Sequence, residues 1–358
     1  MITLTVVPAF LWYASEKKLA AAGGGAGYKA GADARKQKLK AAGIVFAFLS
    51  FLPMFLVNAL MSYVGNDYQN YYSYYKTIIS GGVQEVEFTY KLICMLVYHL
   101  GLGFQWVYVI YSLISHVVLL MCLKKYSANY AFSYMMFFFN AYFGYLGLNQ
   151  IRQFVSVMLV FYAFSYIEER KMWKYLILVL IAGSFHFTAL IMLPFYWILH
   201  VKWKLSTFCI IALLLLPINL FYNEVMLWLF TTFMPRYLNS NYVTREFGIG
   251  VPYMIMMLTT FVVTMVYERM SSKDNTVFRN CTILSIIIVF CASWLPEYQR
   301  FVFYFFIPTI AYVPQLLEED KNTVRRVCVY AALMLVYIWY FMNVYDGMSI
   351  VPYKSVLG

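Results

Sequence analysis

The chain has 358 residues, of which 63% are hydrophobic, 20% aromatic and only 12% charged, and its mean hydropathy is +0.68. This composition excludes an ordinary soluble domain and is typical of a helical protein whose whole chain, residues 1–358, forms one integral membrane domain. The formal net charge of +11 would favour nucleic acid as the partner of a soluble protein. In a membrane protein it reflects basic cytoplasmic loops, and we expect no nucleic-acid partner.

The six cysteines lie singly in or beside apolar segments, and no two of them form a Cys-x-x-Cys pair. This spacing is typical of packing residues, so we expect neither a disulfide framework nor a cysteine metal site. No two histidines have the spacing of metal ligands. We therefore expect no metal and no cofactor.

The first predicted element is the apolar segment in "MITLTVVPAFLWYASEKK", which is marginal in length for crossing a bilayer. It lacks a basic n-region, so we interpret it as a short membrane segment rather than a cleaved signal peptide. The residues that follow, 16–40, are rich in Ala and Gly and contain seven Lys or Arg. We predict that they form a flexible basic loop on the cytoplasmic side.

Apolar segments then follow one another along the rest of the chain, and each long one can house a spanning helix. They cover residues 41–62, 88–123, 128–147, 151–167, 173–200, 205–222, 251–268, 280–295, 300–317 and 324–344. Two of them are long enough for a pair of shorter helices. We predict an all-α, polytopic transmembrane helical bundle with about 10 to 12 membrane segments.

The basic residues predict the orientation of the bundle, because cytoplasmic loops carry most Lys and Arg. If residues 16–40 are cytoplasmic, the later basic clusters are too, which places 20 of the 27 Lys and Arg inside. This arrangement requires the first part of 88–123 to lie along the outer surface and 173–200 to form a hairpin broken near Gly183 and Ser184. The loops at 62–87 and 223–250 are then extracytoplasmic.

The outer loop at 62–87 contains "GNDYQNYYSYYKTIISGGVQEVEF", in which the acids Asp67, Glu85 and Glu87 flank a cluster of tyrosines. Carboxylates beside aromatic rings are suited to sugars, because C–H faces stack on rings while hydroxyls find acceptors. The candidates for this role are Asp67, Tyr68, Tyr71 and Glu87. The alternative is an interfacial aromatic belt with solvated acids.

The motif "NQIRQ" places Arg152 at the head of an apolar helix, flanked by Asn149, Gln150 and Gln153. A charge at membrane depth costs about 2.5–3.5 kcal/mol, so it normally faces a polar cavity and has a partner. The alternative is that Arg152 snorkels to the headgroups from the helix end. Both interpretations place it at the outer face.

His186 lies in the long apolar segment just after the predicted break, where a cavity would form. A lone histidine on an apolar face is more often a packing residue, so both interpretations stay open. Arg236 and Arg245 lie in the loop at 223–250, and Glu297 and Arg300 lie at the head of a later helix. Together with Arg152, these arginines suggest an anionic substrate with phosphate oxygens, although anionic lipid headgroups are an alternative.

Four stretches in this order resemble the EpsG family, whose members are Wzy-like polymerases of bacterial capsule, O-antigen and exopolysaccharide synthesis. They are "GNDYQNYYSYYK", "EVEFTYKLICML", "NQIRQFVSVMLVFYAFSYIEERKMWKYLILVLIAGSFHFTALIMLP" and "YQRFVFYF". The resemblance extends from residue 40 to residue 317 and is strongest at 149–190. The Gly/Ala-rich stretch near the N-terminus has no match in the family.

The resemblance implies a GT-C-like bundle in the bacterial inner membrane that transfers glycosyl groups at the extracytoplasmic face. The donor would be a growing glycan on undecaprenyl diphosphate, and the acceptor a lipid-linked repeat unit. A hydroxyl of the acceptor's terminal sugar would attack the anomeric carbon, and the lipid diphosphate would leave. A flippase and a chain-length regulator are the protein partners that the resemblance implies.

The residues singled out above fit these needs. Arg152 and Arg300 would stabilise the departing diphosphate, assisted by Arg236 and Arg245. Asp67 and His186 are the candidates for the base that activates the hydroxyl, followed by Glu87 and Glu297. The neutral and aromatic side chains would hold sugar hydroxyls; they are Tyr68, Tyr71, Asn149, Gln150 and Gln153.

Other function classes stay open at this point. A polysaccharide ligase or a membrane acyltransferase would use similar residues, and the sequence barely separates a ligase from a polymerase. A secondary transporter or flippase of an anionic glycolipid would also use arginines and broken helices. Inverted internal repeats would favour a transporter, and we find none in the sequence.

Overall fold

The computed structural model describes residues 2–23, 30–215, 217, 221–233, 249–293, 295, 297–344 and 352–357. In these residues the regular structure is helical, and the only β-bridge joins Met61 to Ser355. The predicted all-α class is therefore confirmed.

The helices follow the predicted apolar segments closely. In chain order they are α1 (Ile2–Gly23), α2 (Ala30–Ala59), α3 (Tyr68–Ile79), α4 (Phe88–His99), α5 (Gln105–Tyr126), α6 (Tyr130–Phe139), α7 (Ala141–Leu148), α8 (Ile151–Glu168), α9 (Met172–Phe185), a 3₁₀ helix (Phe187–Met192), α10 (Phe195–Leu199), α11 (Leu205–Leu215), α12 (Tyr222–Phe233), α13 (Val251–Glu268), α14 (Thr276–Ala292), α15 (Gln299–Phe306), α16 (Thr309–Glu318) and α17 (Thr323–Val344).

Six of the described helical segments are long and apolar enough to cross a membrane. They are Gln37–Ala59, Gln105–Tyr126, Ile151–Glu168, Val251–Glu268, Gln299–Glu318 and Thr323–Val344. Four shorter apolar helices, of 10 to 17 residues, lie among them. The protein is therefore a multi-pass membrane protein, while the predicted total of 10 to 12 segments and the GT-C-like arrangement stay predictions.

The loop predicted at 16–40 is wrong for most of its length. The first helix continues through Gly23, and the second begins at Ala30. Ala and Lys make up 13 of these 25 residues and have high helix propensity, which favours the helical backbone of its described residues 16–23 and 30–40. The prediction of a flexible loop relied on the glycines of this stretch and underestimated the helix propensity of its other residues.

Two other predicted loops also contain helices. Helix α3 occupies the middle of 62–87, and α12 occupies Tyr222–Phe233 at the start of the loop predicted at 223–250. The buried residues of α3 recur at helical spacing, namely Tyr68, Tyr71, Tyr75 and Ile78, so its aromatic residues form one packed face. The tyrosine-rich loop is therefore in large part an amphipathic helix.

The segment at 173–200 is broken as predicted, but two residues later than Gly183 and Ser184. Helix α9 ends at Phe185, His186 is extended with φ −155° and ψ 119°, and the 3₁₀ helix follows. Gly183 contributes to the return of the chain, because a Cβ at this position would overlap the side chain of Leu190. The break therefore places His186 at the turn itself.

The charged ends of the helices gather at one end of the bundle, which we call the basic end. Ion pairs join the basic clusters there to neighbouring acids; they are Lys17–Glu318, Lys125–Glu169, Lys171–Glu169, Lys202–Asp274, Lys273–Glu319 and Arg326–Glu318. The basic clusters thus lie together, as the predicted orientation of the bundle requires. The assignment of this end to the cytoplasm stays a prediction from the positive-inside rule.

The opposite end, which we call the cavity end, contains the first turn of α8, the last turn of α9 and the start of α15. The C-terminal residues 352–357 return to this end, where Ser62 N donates to Lys354 O at 3.0 Å and Val356 N donates to Leu60 O at 2.9 Å. The two central helical segments, Ile151–Glu168 and Gln299–Glu318, are mostly buried inside the bundle. They hold the cavity end on a rigid core.

Candidate functional site

A cavity of about 900 Å³ opens at the cavity end of the bundle. Four structural elements surround it: the loop before α3 with α3 itself, the loop before α4, the first turn of α8, and the α9–3₁₀ turn with the start of α15. Its lining is strongly polar and consists of Asp67, Asn70, Tyr71, Tyr74, Gln84, Glu85, Val86, Glu87, Gln150, Arg152, Gln153, His186, Phe187 and Arg300. Its volume is in the range of small-molecule sites.

Glu87 joins two of these side chains. Arg152 Nη1 donates a hydrogen bond to Glu87 Oε2, and His186 Nδ1 lies 2.7 Å from Glu87 Oε1. The exposed fractions are 17% for the side chain of Arg152, 11% for Glu87 and 7% for His186. A charged pair this well shielded from solvent is costly to break, because one charge would be left buried and unpaired.

The contact with Glu87 fixes the tautomer of His186. An ionised carboxylate only accepts hydrogen bonds, so the proton of the neutral imidazole lies on Nδ1. The other nitrogen, Nε2, is then an acceptor, and it is buried without a partner among the described residues. Because the imidazole belongs to the cavity lining and Nδ1 is engaged by Glu87, Nε2 is the atom of His186 that would accept from a proton donor bound there.

Arg152 is held by aromatic rings as well as by Glu87. Its guanidinium carbon lies 5.2 Å from the ring centroid of Tyr71 and 5.6 Å from that of Tyr90. Tyr90 in turn donates from its hydroxyl to the backbone oxygen of Tyr71 at 2.8 Å, which joins α3 to α4. Cation–π contacts of this kind stabilise a cation away from water. Arg152 is therefore an internally partnered residue, and the snorkelling interpretation is wrong.

Asp67 is positioned by Asn149, whose side-chain oxygen accepts from Asp67 N at 2.9 Å. Asn149 Nδ2 also reaches Asp67 Oδ2 at 3.4 Å and donates to the Tyr145 hydroxyl. Gly65 makes this approach possible: its φ is +74°, and a Cβ there would lie 2.6 Å from Asn149 Oδ1. The glycine therefore allows the loop to pass close to the end of α7.

The two acids of this site differ in their electrostatic environment. Burial raises the pKa of Asp67 above its usual value, although Arg300 and Arg152 oppose this shift. Burial would also raise the pKa of Glu87, but the His186 hydrogen bond and the Arg152 charge together lower it to about 2. Glu87 is therefore a permanent anion near neutral pH, while Asp67 takes up a proton more readily than an ordinary aspartate.

Arg300 enters the cavity from the first turn of α15. Its Nε lies 3.1 Å from Glu297 Oε2, and its backbone oxygen accepts from Gln153 Nε2 at 2.8 Å. Glu297 has a φ of 58°, a conformation that non-glycine residues adopt at a cost of about 1–3 kcal/mol. The strained turn and the bond to α8 together orient Arg300 toward the cavity.

Four buried atoms of the cavity lining have no hydrogen-bond partner among the described residues: Gln150 Oε1, Arg152 Nε, Gln153 Oε1 and His186 Nε2. Buried polar groups in folded proteins are almost always paired, and an unpaired one costs about 1–3 kcal/mol. One donor and three acceptors left open in one cavity fit a polar, hydroxyl-rich ligand. No group of three His, Cys, Asp or Glu that could hold a metal ion occurs in the described chain.

Most of the residues predicted from the sequence meet in this cavity: Asp67, Tyr71, Glu87, Gln150, Arg152, Gln153, His186 and Arg300. Three others do not line it. Tyr68 packs on Tyr108 in the aromatic cluster, Asn149 holds Asp67, and Glu297 pairs with Arg300. Arg236 and Arg245 lie outside the described residues.

The set of predicted site residues did not include six others that also line the cavity: Asn70, Tyr74, Gln84, Glu85, Val86 and Phe187. Of these, only Glu85 was noted, as an acid of the outer loop. The helical spacing of Asn70, Tyr71 and Tyr74 in α3 is the signal that could have found part of this set. The sequence also did not predict that Glu87 contacts both Arg152 and His186. That role depends on contacts across 65 and 99 residues of chain, which no local pattern encodes.

The comparisons with known proteins agree with this picture. The EpsG family model matches residues 44–355, which include every described element of the cavity. A search of curated proteins finds no match, and neither does a search of solved structures. Because the family model covers most of the chain, this protein belongs to the EpsG family.

Proposed function

We propose that this EpsG family protein is a Wzy-like polysaccharide polymerase. It would join undecaprenyl-diphosphate-linked repeat units by glycosyl transfer at the extracytoplasmic face of the bacterial inner membrane. The observation that carries this proposal is the convergence of Asp67, Arg152, His186 and Arg300 on one polar cavity at the end of the bundle opposite the basic clusters. Family membership supports the reaction class.

The cavity lining suits a glycan. Tyr71 and Tyr74 provide aromatic surface, and Gln150 and Gln153 provide buried side-chain oxygens for which the described residues supply no partner. Sugar hydroxyls can satisfy these oxygens while ring C–H groups contact the aromatic faces. A site whose polar groups are left open for hydroxyls discriminates strongly against ligands that lack them.

The reaction needs a base at the attacking hydroxyl and an anion-stabilising group at the leaving diphosphate. The acceptor hydroxyl loses its proton to Asp67 or His186 while its oxygen bonds to the anomeric carbon. The bond between that carbon and the diphosphate oxygen breaks, and the electron pair stays on the leaving diphosphate. Arg300 and the remaining donors of Arg152 would stabilise this developing charge, because both guanidinium groups face the cavity.

The polymerase proposal is tested with purified protein and a lipid-diphosphate-linked repeat unit as the sole substrate. We expect a ladder of products that differ by one repeat unit. Transfer of the glycan to a different acceptor in a single step would indicate a ligase instead. Movement of intact substrate across vesicle membranes, with no new glycosidic bond, would contradict the proposal and favour the flippase alternative.

A further inference from the structure

Glu87, Arg152 and His186 form a chain of contacts that ends at the far, buried nitrogen of His186, a residue that lines the cavity. The guanidinium of Arg152 contacts one oxygen of the Glu87 carboxylate, and His186 Nδ1 contacts the other. The far nitrogen of His186 has no partner among the described residues. We propose that His186 Nε2 is the general base of the reaction, that Glu87 is its positioning residue, and that Arg152 in turn positions Glu87.

This inference rests on the proposed function, and its roles differ from those predicted from the sequence. The sequence prediction has Glu87 bind substrate and Arg152 stabilise the leaving group, and it leaves Asp67 and His186 as equal candidates for the base. In the structure Glu87 has both carboxylate oxygens engaged by protein groups, so little of its hydrogen-bonding capacity is left for a sugar. Its role toward substrate is therefore indirect.

The geometry matches what a histidine base requires. A carboxylate that accepts from Nδ1–H holds the imidazole in the tautomer whose Nε2 can take a proton, and it stabilises the imidazolium that forms. The backbone of Phe187 also points its N–H at the same Glu87 oxygen, at 3.4 Å. Helix α8 fixes the backbone on the other side, where Ser156 Oγ lies 3.4 Å from His186 O. The imidazole is thus oriented from two directions.

Asp67 is less suited to be the base. Its carboxylate already accepts from the Asn149 amide, and the charge of Arg300 opposes the uptake of a proton that burial favours. These contacts suit an acceptor that binds a sugar hydroxyl without removing its proton. The proton balance then runs through His186: Nε2 takes the proton of the acceptor hydroxyl, and the imidazolium later releases it to water or to the departed diphosphate.

The charged groups facing His186 come from three elements. They are Glu87 before α4, Arg152 on α8 and Arg300 on α15. The nearest phenol on α15 is that of Tyr304, which lies 3.1 Å from Ser156 Oγ and 3.0 Å from Thr188 Oγ1. Helix α10 contributes no charged side chain. Glu87 is therefore the one anion among the groups that contact the imidazole in the described chain.

The first test replaces Glu87 by Gln, which keeps the size of the side chain and removes its charge. We expect kcat to fall by at least about 100-fold, within the range of general base catalysis. The acid limb of the pH profile should move to lower pH, because the imidazolium loses the anion that stabilises it. Glu87→Asp should recover part of kcat. The control is Glu169→Gln, which removes a lysine-paired carboxylate at the basic end and should leave kcat unchanged.

A second test reads the tautomer without any turnover. The chain has only four histidines, so ¹⁵N-histidine labelling and the spectrum of a His186→Asn variant identify the signals of His186. We expect the wild-type protein at neutral pH to show the Nδ1–H tautomer and a deprotonated Nε2. The Nε2–H tautomer, or a kcat that Glu87→Gln leaves unchanged, would overturn the inference. A missing product ladder in the wild type would instead count against the polymerase itself.

Discussion

Ion pairs occur at both ends of the bundle, but they differ in how well they are shielded from solvent and in the polar atoms around them. At the basic end the pair of Lys202 and Asp274 is exposed, with side chains that are 74% and 60% exposed. At the cavity end Arg152 and Glu87 are 17% and 11% exposed, and polar atoms beside them have no partner within the described part of the chain. Exposed pairs in water contribute little to stability, whereas shielded, incompletely satisfied ones are costly and are retained where they do chemistry.

The difference between the two ends is tested most directly by removing a buried charge. Arg152→Ala leaves Glu87 without its cation, so we expect the free energy of unfolding to fall by about 3–5 kcal/mol. Thermal unfolding in detergent measures this loss. Arg152→Lys keeps the charge and should recover most of the stability, but turnover should stay strongly reduced because lysine lacks the planar fork and the Nε donor. Wild-type turnover in Arg152→Lys would mean that Arg152 only anchors the helix.

The second prediction concerns Asp67, whose pKa is raised by burial. An acid with a raised pKa protonates as the pH falls through that higher value, so its acceptor role is lost before an ordinary aspartate would be neutralised. We expect KM for the repeat unit to rise on the acid side, and to do so at a higher pH than protonation of an ordinary aspartate would produce. Asp67→Asn should raise KM about tenfold at neutral pH and remove this dependence. A large fall in kcat with KM unchanged would instead assign the base to Asp67.

The third prediction compares two glycine-to-alanine substitutions, in order to separate the effect of backbone strain from the effect of displacing Asp67. Gly65 and Gly81 have similar positive φ angles, +74° and +79°, but only Gly65 has a neighbour, Asn149, within reach of a new Cβ. Both alanine variants should lose about 1–2 kcal/mol of stability from the left-handed conformation. Gly65→Ala should also reduce turnover, because it displaces the amide that holds Asp67. Equal turnover in the two variants would contradict this role of Asn149.

The smallest effect is expected at the basic end. Lys202→Ala removes an exposed partner of Asp274, and such pairs contribute about 0–1 kcal/mol. Thermal unfolding should change little, and turnover should stay at the wild-type level. A loss of stability comparable to that of Arg152→Ala would show that the two ends do not differ in the way proposed here.

Many residues of the cavity could be predicted from the sequence, because polar and charged side chains are rare in apolar helices and usually face a partner or a polar cavity. Arg152, His186 and Arg300 stand out on this ground alone, and all three line the cavity. Asp67 and Glu87 are less distinctive, since tyrosine-rich loops commonly contain acids. Their positions depend on Gly65, Asn149 and the extended backbone before α4, which are set by tertiary packing.

The predictions that were wrong share one physical cause. The stretch at 16–40 was interpreted by its glycines and charges, but its alanines and lysines sustain helices α1 and α2. Tyr68 was predicted to bind substrate because it follows Asp67 in a tyrosine-rich loop, but it occupies the buried face of α3 and packs on Tyr108. Polar composition alone does not separate an exposed loop from an amphipathic helix at a membrane surface.

The most direct test of the central claim compares two histidines, one at each end. His186 lines the cavity at the cavity end, and His200 lines a smaller cavity of about 560 Å³ at the basic end. Purified wild-type protein, His186→Ala and His200→Ala are each given the lipid-diphosphate-linked repeat unit. We predict a product ladder from the wild type and from His200→Ala, and none from His186→Ala. A wild-type-like ladder from His186→Ala would contradict the account.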